Sequence, residues 1–318
     1  MKKSLLLLSM KPSILVGGQA VIEGVMMRVP GAYATAVRDP KGQVHIQKKE
    51  FKSITESSNF WNRPILRGMA SLFEAMKMGF ATLQWSADIA MPDEMEQSKI
   101  AEIFSTLFAI GLAITLFMIA PMWLTTKFMN IEKEALWFNL ASGIFRIFFF
   151  VIYLLAISFM KDVRRLFQYH GAEHRVVYNF ESGKDINIEN AQSFPTQHPR
   201  CGTSFLFIVL LSAILIFALV DTIVIYFLGM ISLPIRLLFH LPMIPLVSGV
   251  GYEIIKLSVK SGSYFFIILK QPGLWLQNIT TKQPKDDMIE VAITALKEAF
   301  GNRYEDMVGK EYTAEAIG

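Results

Sequence analysis

Cysteine is almost absent from this sequence, in which Cys201 is the only one among 318 residues. A single cysteine excludes an internal disulfide, which agrees with a reducing, cytoplasmic setting. Histidine is also scarce, with five residues in the chain. Because His170, His174 and His198 fall in the same polar segment as Cys201, the rarest side chains are concentrated at one place.

Charged residues are few as well, at 18%, whereas hydrophobic residues make up 53% and the mean hydropathy is positive. This composition is typical of a membrane protein. The basic residues are spread along the flanks of apolar runs and form no motif of the RNA-binding kind, so nucleic acid is not an expected partner. The expected partner is the lipid bilayer, whose anionic headgroups attract lysines.

Four apolar runs are long enough to cross the hydrocarbon core as helices. They are Ile103 to Leu124, Leu136 to Met160, Phe205 to Met230 and Leu233 to Leu257. Lysine and arginine are concentrated before the first run, in segment 161–202 and after the last run, while the connection between the first two runs has only Lys127 and Lys133. The positive-inside rule therefore predicts a multi-pass protein of the bacterial cell membrane with both termini cytoplasmic.

The predicted fold is an α-helical integral membrane protein with about four transmembrane helices, a small mixed α/β cytoplasmic N-terminal domain and a cytoplasmic helical cap. The N-terminal domain, 1–99, contains a β-hairpin in Ala34–Phe51 and an amphipathic helix in Pro64–Trp85, which lies on the membrane or docks on the spans. The remaining predicted units are the transmembrane pair 100–160, the motif segment 161–204, the transmembrane hairpin 205–260, and an interfacial segment with a C-terminal helix in 261–318. Met1–Met10 resembles the start of a secretory signal that is too short to be cleaved.

Three of the ionisable residues within the predicted spans are the most informative, because an unpaired charge is costly there. They are Arg146, Asp221 and Arg236. Pairing of Asp221 with either arginine is the structural interpretation, and a polar transport path is the functional one. Pro242 and Pro245 in the fourth span predict a kinked or broken helix.

The segment Tyr-His-Gly-Ala-Glu-His, residues 169–174, contains the most specific chemical pattern. On a helix, His170, Glu173 and His174 share one face. The order His-x-x-Glu-His is that of inverted zinc proteases, in which two imidazoles hold Zn²⁺ and the glutamate polarises water. The pattern predicts Zn²⁺, or another divalent metal, on His170 and His174, with Glu173 as general base. Hydrogen-bonded structural histidines without a metal are the alternative.

A catalytic zinc needs a third protein ligand and an open position. His198 is the first choice and Cys201 the second, and both belong to the sequence His-Pro-Arg-Cys-Gly-Thr-Ser that begins at residue 198. Glu23 and Glu253 are the further candidates. Pairing with Lys256 is the alternative for Glu253, and a buried structural thiol is the alternative for Cys201.

Three motifs together resemble the YqhQ-like family of uncharacterised bacterial membrane proteins. They are Gly-Gly-Gln-Ala-Val-Ile-Glu-Gly-Val-Met-Met-Arg at 17–28, the segment 169–174 and the segment 198–204. The resemblance extends over nearly the whole chain. The resemblance implies a metal-dependent enzyme, because members of the family are described as predicted metal-dependent enzymes. It names no substrate.

The residues support three hypotheses about function. The first is a membrane-embedded, metal-dependent hydrolase that acts on a lipid-linked or membrane-protein substrate. The second is a non-enzymatic membrane factor that binds other membrane proteins during assembly or translocation. The third is a transporter. This hypothesis is the least favoured, because the chain has four predicted spans and no internal repeat.

Overall fold

The structure, a computed structural model, describes residues 13–92, 99–199, 201–260 and 263–314. It is mostly helical, with four helices long and apolar enough to cross a membrane and one small four-stranded sheet. The four apolar helices indicate a membrane protein. Met1–Met10, for which an uncleaved signal-like segment is predicted, lies outside the described residues.

The sheet is an antiparallel meander with the strand order β2-β3-β4-β5. Its strands are β2 (Gly17–Val21), β3 (Gly24–Val29), β4 (Ala32–Arg38) and β5 (Val44–Glu50), while the short β1 (Ser13–Ile14) pairs in parallel with β6 (Thr313–Ala314). The predicted hairpin is confirmed as β4 and β5, with Gly42 at positive φ in the turn. The glycine-rich stretch before it forms a second hairpin, β2 and β3, which was not predicted.

The helices follow in chain order. They are α1 (Ile54–Ser57), α2 (Leu66–Ala90), α3 (Lys99–Ile114), α4 (Ala120–Met129), α5 (Ala135–Ser158), α6 (Lys161–Glu181), α7 (Ile188–Gln192), α8 (Gly202–Leu228), α9 (Leu233–Lys260), α10 (Tyr264–Thr280), α11 (Asp286–Phe300) and α12 (Tyr304–Met307). A π-helical turn, Thr115–Ile119, joins α3 to α4. The predicted C-terminal amphipathic helix is confirmed as α11, which buries its apolar face.

The candidate spans are Ile103–Met129, Ala135–Ser158, Phe205–Leu228 and Leu233–Ser258. Their number agrees with the prediction and three of them agree closely in their bounds, whereas the first extends five residues further. The fourth span was predicted to be kinked or broken, and it is not broken, because α9 runs through Pro242 and Pro245 without interruption. A proline removes one backbone donor, a loss that membrane helices tolerate. The short interfacial segment predicted after the spans is instead the 17-residue helix α10.

The sheet lies between helices on both faces. α6 and α11 cover one face with a core that includes Met27, Tyr169, Val176 and Leu296. α2 covers part of the other face, where Met26 and Tyr33 pack on Met78. The sheet therefore holds α6, which carries the predicted site, and α2 at fixed positions on its two sides.

α2 also packs against the candidate span α9. This agrees with one of the two predicted positions for the helix, docked on the spans. The helices approach closely at two glycines, since a Cβ atom on Gly68 would lie 2.6 Å from the Cβ of Tyr252, and one on Gly249 would lie 2.6 Å from the carbonyl oxygen of Ile65. Arg67 at the start of α2 forms an ion pair with Glu253. These contacts join the sheet unit to the helix bundle at the end where α6 begins.

Candidate metal centre

His170 and His174 lie side by side on α6, one helical turn apart. Their ring centroids are 4.5 Å apart with an interplanar angle of 62°. His174 is buried and His170 is half-buried. The predicted helix and the shared face are therefore present, and both imidazoles are directed to one place.

Backbone carbonyls hold both rings through their Nδ1 atoms. His170 Nδ1 lies 2.8 Å from the carbonyl oxygen of Thr280, and His174 Nδ1 contacts that of Thr196. A carbonyl only accepts hydrogen bonds, so each neutral ring carries its proton on Nδ1 and its lone pair on Nε2. Metal-binding histidines are oriented in the same way. Burial lowers the pKa of His174, which keeps its ring neutral.

Cys201 completes a group of three metal-binding side chains. Its Sγ lies 3.2 Å from Nε2 of His170, and the ligand atoms of His170, His174 and Cys201 all lie within 4.8 Å of one another. The ligands of a tetrahedral zinc are about 3.3–3.8 Å apart, as follows from bond lengths of about 2.0–2.3 Å. Small side-chain rotations would therefore bring the three atoms onto one ion.

Cys201 occupies the N-cap of α8, where two donors of Thr203 face its sulfur. The backbone nitrogen of Thr203 donates to Sγ over 3.5 Å and the Thr203 hydroxyl donates to it over 3.3 Å. The same sulfur lies 3.2 Å from Nε2 of His170. The start of α8 therefore positions Cys201 as a candidate ligand beside the two histidines.

Glu173 lies beside the group of three. It is buried, and its Oε2 atom is 3.4 Å from Nε2 of His174. Gly18 on β2 makes room for it, since a Cβ atom there would lie 3.0 Å from Cγ of Glu173. The carboxylate thus adjoins the candidate ligand atoms, as the predicted general base requires, and Gly18 of the 17–28 motif packs directly against it.

Of the two leading candidates for a third ligand, Cys201 and not His198 lies in the group with His170 and His174. The peptide group of His198 is bound on both sides by the Gln277 side chain, with distances of 2.6 and 2.9 Å. The buried ring lies against Tyr178, with 4.3 Å between centroids, and its Nε2 is 3.7 Å from Glu181. Burial lowers its pKa, which the charge of Glu173 opposes. His198 therefore packs beside His174 without joining the three.

The two remote carboxylates proposed as ligands are held elsewhere. Glu23, at positive φ in the turn between β2 and β3, forms an ion pair with Arg165. Glu253 pairs with Arg67 and accepts a hydrogen bond of 3.2 Å from the backbone nitrogen of Ile65. Its hydrogen-bonded partner is thus Arg67 on α2, and Lys256 also interacts with it electrostatically. Both carboxylates join elements of the fold and neither belongs to the ligand group.

A cavity of about 320 Å³ opens next to the ligand group. His170, Glu173, His174 and Cys201 line one end of it, and most of the remaining lining residues are apolar. Arg28 of β3 is the only arginine or lysine among the lining residues that the structure describes. The cavity supplies the open position that a catalytic metal needs beside its three protein ligands.

Sequence reasoning missed three parts of this site: the two carbonyls that orient the imidazoles, Gly18, and Arg28. Gly18 and Arg28 belong to the 17–28 motif, so the motif was a usable signal. The carbonyls of Thr196 and Thr280 had no signal, because a backbone acceptor is the same at every position.

Comparison with known proteins agrees with the resemblance seen in the motifs. Residues 63–302 match a family described as "Protein of unknown function (DUF1385)". The chain is 31% identical over 297 residues to the "Uncharacterized protein YqhQ" of Bacillus subtilis (strain 168), covering 89% of this chain and 91% of that protein. No solved structure matches significantly.

The class defined by the fold and the comparisons is an uncharacterised family of proteins with apolar helices that could span a membrane. The chain belongs to this DUF1385 family and is a YqhQ-like protein. Neither description names an activity, so the site geometry has to carry the functional argument.

Proposed function

We propose that this protein is a membrane-bound, metal-dependent hydrolase whose site is formed by His170, His174, Cys201 and Glu173. The observation that carries the proposal is that one ligand atom from each of His170, His174 and Cys201 lies within 4.8 Å of the other two, at the wall of a cavity. With Nδ1 of each ring held by a carbonyl, Nε2 of His170 faces the sulfur of Cys201 and Nε2 of His174 faces the carboxylate of Glu173.

The donor set favours zinc. Imidazole and thiolate ligands suit Zn²⁺ better than Mg²⁺ or Ca²⁺, which prefer oxygen. When bound, such an ion supplies Lewis acidity that lowers the pKa of water to about 7 and polarises an acyl or phosphoryl oxygen. The fixed Nδ1 hydrogen bonds hold the imidazoles in the binding tautomer, so the site needs little reorganisation.

Glu173 has the position of a general base. Its carboxylate lies next to the ligand atoms and lines the same cavity, so it can accept a proton from the attacking water and return it to the leaving group. Burial of the site excludes bulk water and strengthens these electrostatic interactions. The substrate is a lipid-linked or membrane-protein molecule, because the cavity adjoins the ends of candidate spans α8 and α9.

Elemental analysis of the purified protein tests the metal site. We expect near one zinc per chain in the wild type and background zinc in the double variant His170→Ala, His174→Ala. His45→Ala is the matched control, because that side chain is 42% exposed and pairs with Asp39 on the sheet. Zinc that persists in the double variant, or a wild type without metal after zinc-supplemented expression, would contradict the proposal.

Glu173→Gln then tests the chemistry separately from the metal. We expect zinc content to stay unchanged while hydrolysis of 4-nitrophenyl acetate and bis(4-nitrophenyl) phosphate falls by about 10²–10⁴-fold, the usual contribution of a general base. A Gln variant as active as the wild type would remove Glu173 from the reaction.

A further inference from the structure

A second concavity, which we call the apolar groove, lies on the outer side of α2. It has a volume of about 460 Å³, and every residue that lines it is apolar. The lining includes Trp61, Met69, Phe73 and Met76, together with Pro245 of α9. Phe73 and Met76 are exposed by 64% and 51%. Contact of so many apolar side chains with water would be unfavourable, so we expect the groove to face an apolar environment.

The groove is continuous with a surface that faces lipid if α9 spans the membrane. Pro245 lies near the middle of the candidate span Leu233–Ser258. Leu238, Leu241 and Ile244, on the turns before it, all expose apolar side chains. The groove therefore opens at the depth of the hydrocarbon core, where the molecules available to fill it are acyl chains.

Leu72 lies between the groove and the cavity of the candidate site. Gly68, Ser71 and Ala75 of α2 line the cavity, whereas Met69, Phe73 and Met76 line the groove. Leu72 lines both, and it is the only residue common to the two linings in the part of the chain that the structure describes. One leucine side chain thus stands at the boundary between an opening to the bilayer and the site with its candidate ligands.

The two compartments differ in polarity in the way an amphiphile requires. The groove is apolar throughout, while the cavity contains the histidines, Glu173 and Arg28. Burial lowers the pKa of Arg28, which the charge of Glu74 opposes, and the guanidinium remains a cation at neutral pH. A cation in a low-dielectric cavity favours an anionic headgroup such as a phosphodiester.

We propose that the substrate is an anionic bilayer lipid that enters sideways, with an acyl chain in the apolar groove and its headgroup carried past Leu72 into the cavity. This inference rests on the proposed function for the reaction, but the binding mode can be tested without any turnover. In this proposal Leu72 is the gate, the side chain that the headgroup has to pass between the groove and the cavity. α2 separates the lipid from the site.

Photo-crosslinking in lipid nanodiscs tests the proposal. The probes are two phosphatidylglycerols, one with a diazirine at the far end of an acyl chain and one with a diazirine next to the carbonyl. We expect the far-end probe to label Trp61, Phe73 and Met76 severalfold more than Phe104, an exposed residue of the first candidate span. The near-carbonyl probe should label the cavity residues Met78 and Phe205.

Leu72→Trp tests the gate, because the larger side chain narrows the passage. We expect it to abolish labelling of Met78 and Phe205 by the near-carbonyl probe while the far-end probe still labels the groove. Leu83→Trp is the matched control, an exposed leucine on the same helix that lines neither compartment. Labelling of the cavity that is equal in both tryptophan variants would overturn the gate.

A second pair of variants keeps the test decisive if Leu72→Trp fails to fold. Phe73→Asp places a charge in the groove, and Phe80→Asp places the same charge two turns along the same helix at similar exposure, 64% against 67%. We expect only Phe73→Asp to remove groove labelling. Equal labelling of the groove and of Phe104 in the wild type would overturn the proposal. Lipid labelling with no zinc would contradict the proposed enzyme alone, and zinc without groove labelling would contradict the lipid inference alone.

Discussion

The chain contains two buried histidine clusters, and they differ in what the histidines face. In the candidate metal centre, Nε2 of His170 faces the sulfur of Cys201 and Nε2 of His174 faces a carboxylate oxygen of Glu173, beside a cavity. In the cluster between the candidate spans, His240 Nε2 lies 2.8 Å from a carboxylate oxygen of Asp221, and the other oxygen lies 2.9 Å from the guanidinium of Arg236. The first cluster is open on one side, whereas the second is closed by its own ion pairs.

In the second cluster both carboxylate oxygens of Asp221 are engaged, whereas Nδ1 of His240 has no hydrogen-bond partner in the described part of the chain. Asn139 donates to Asp221 over 2.6 Å, and Arg236 donates to the carbonyl of Glu132 over 2.6 Å. The ring of His240 stacks on Phe217 with centroids 4.1 Å apart. Burial of histidine and carboxylate therefore does not define a functional site. A site also needs lone pairs that converge on space, and only the first cluster has that property among the described residues.

Breaking the closed cluster should give the largest effect on stability. Asp221→Ala leaves Arg236 and His240 buried without their counter-charge, and loss of one partner of a buried ion pair costs about 3–5 kcal/mol of unfolding free energy. Reversible denaturation in detergent micelles measures this loss. Thr222→Ala, on the next residue of α8, is the control and should change stability far less. An Asp221→Ala variant as stable as the wild type would show that the cluster contributes nothing.

Much of the fold follows from local patterns. The four spans were predicted from apolar length, and the β4–β5 hairpin from alternation around an Asp-Pro-Lys-Gly turn. The β2–β3 hairpin was missed because β3 is buried on both faces, which removes the alternation that identifies a strand. Pairing of Asp221 with Arg236 was expected, while Arg146 proved to donate to the carbonyl of Phe117 over 2.8 Å.

The site was predictable to the extent that its residues share one helix. His170, Glu173 and His174 follow from the i, i+3, i+4 spacing, which needs no tertiary information. The candidate for the third ligand depends on how residues 194–199 and Cys201 pack against α6. Gln277 on α10 binds the peptide group of His198, and Cys201 caps α8. Which of these two residues lies beside His170 and His174 therefore depends on distant parts of the chain.

Removal of the sulfur should have the next largest effect, this time on the open cluster. Cys201→Ser keeps an N-cap side chain that can accept from Thr203, so α8 should fold normally. A hydroxyl is a much poorer zinc ligand than a thiolate, and we expect zinc affinity to fall by at least about 100-fold. Competition with a zinc-binding dye measures the affinity. Unchanged affinity in the serine variant would exclude Cys201 as a ligand.

His198→Ala should separate packing from ligation. The ring is buried against Tyr178, so its loss should lower the unfolding free energy by about 1–3 kcal/mol, in the range of core truncations and buried polar losses. Because its peptide group, and not its ring, binds Gln277, the loop that positions Cys201 should persist. We expect one zinc per folded chain. Zinc lost along with the ring would restore His198 as a ligand.

The smallest effect is expected at Glu253, a candidate ligand whose carboxylate forms an ion pair with Arg67. Its carboxylate and the Arg67 guanidinium are about one-fifth exposed, so the pair is partly screened. Glu253→Gln should lower the unfolding free energy by about 1 kcal/mol, near the upper end for exposed pairs, and leave zinc content unchanged. A double-mutant cycle with Arg67→Gln isolates the pair, because its coupling energy should account for most of the single-variant loss. A coupling near zero, together with lost zinc, would place Glu253 in the open cluster and not at the contact between α2 and α9.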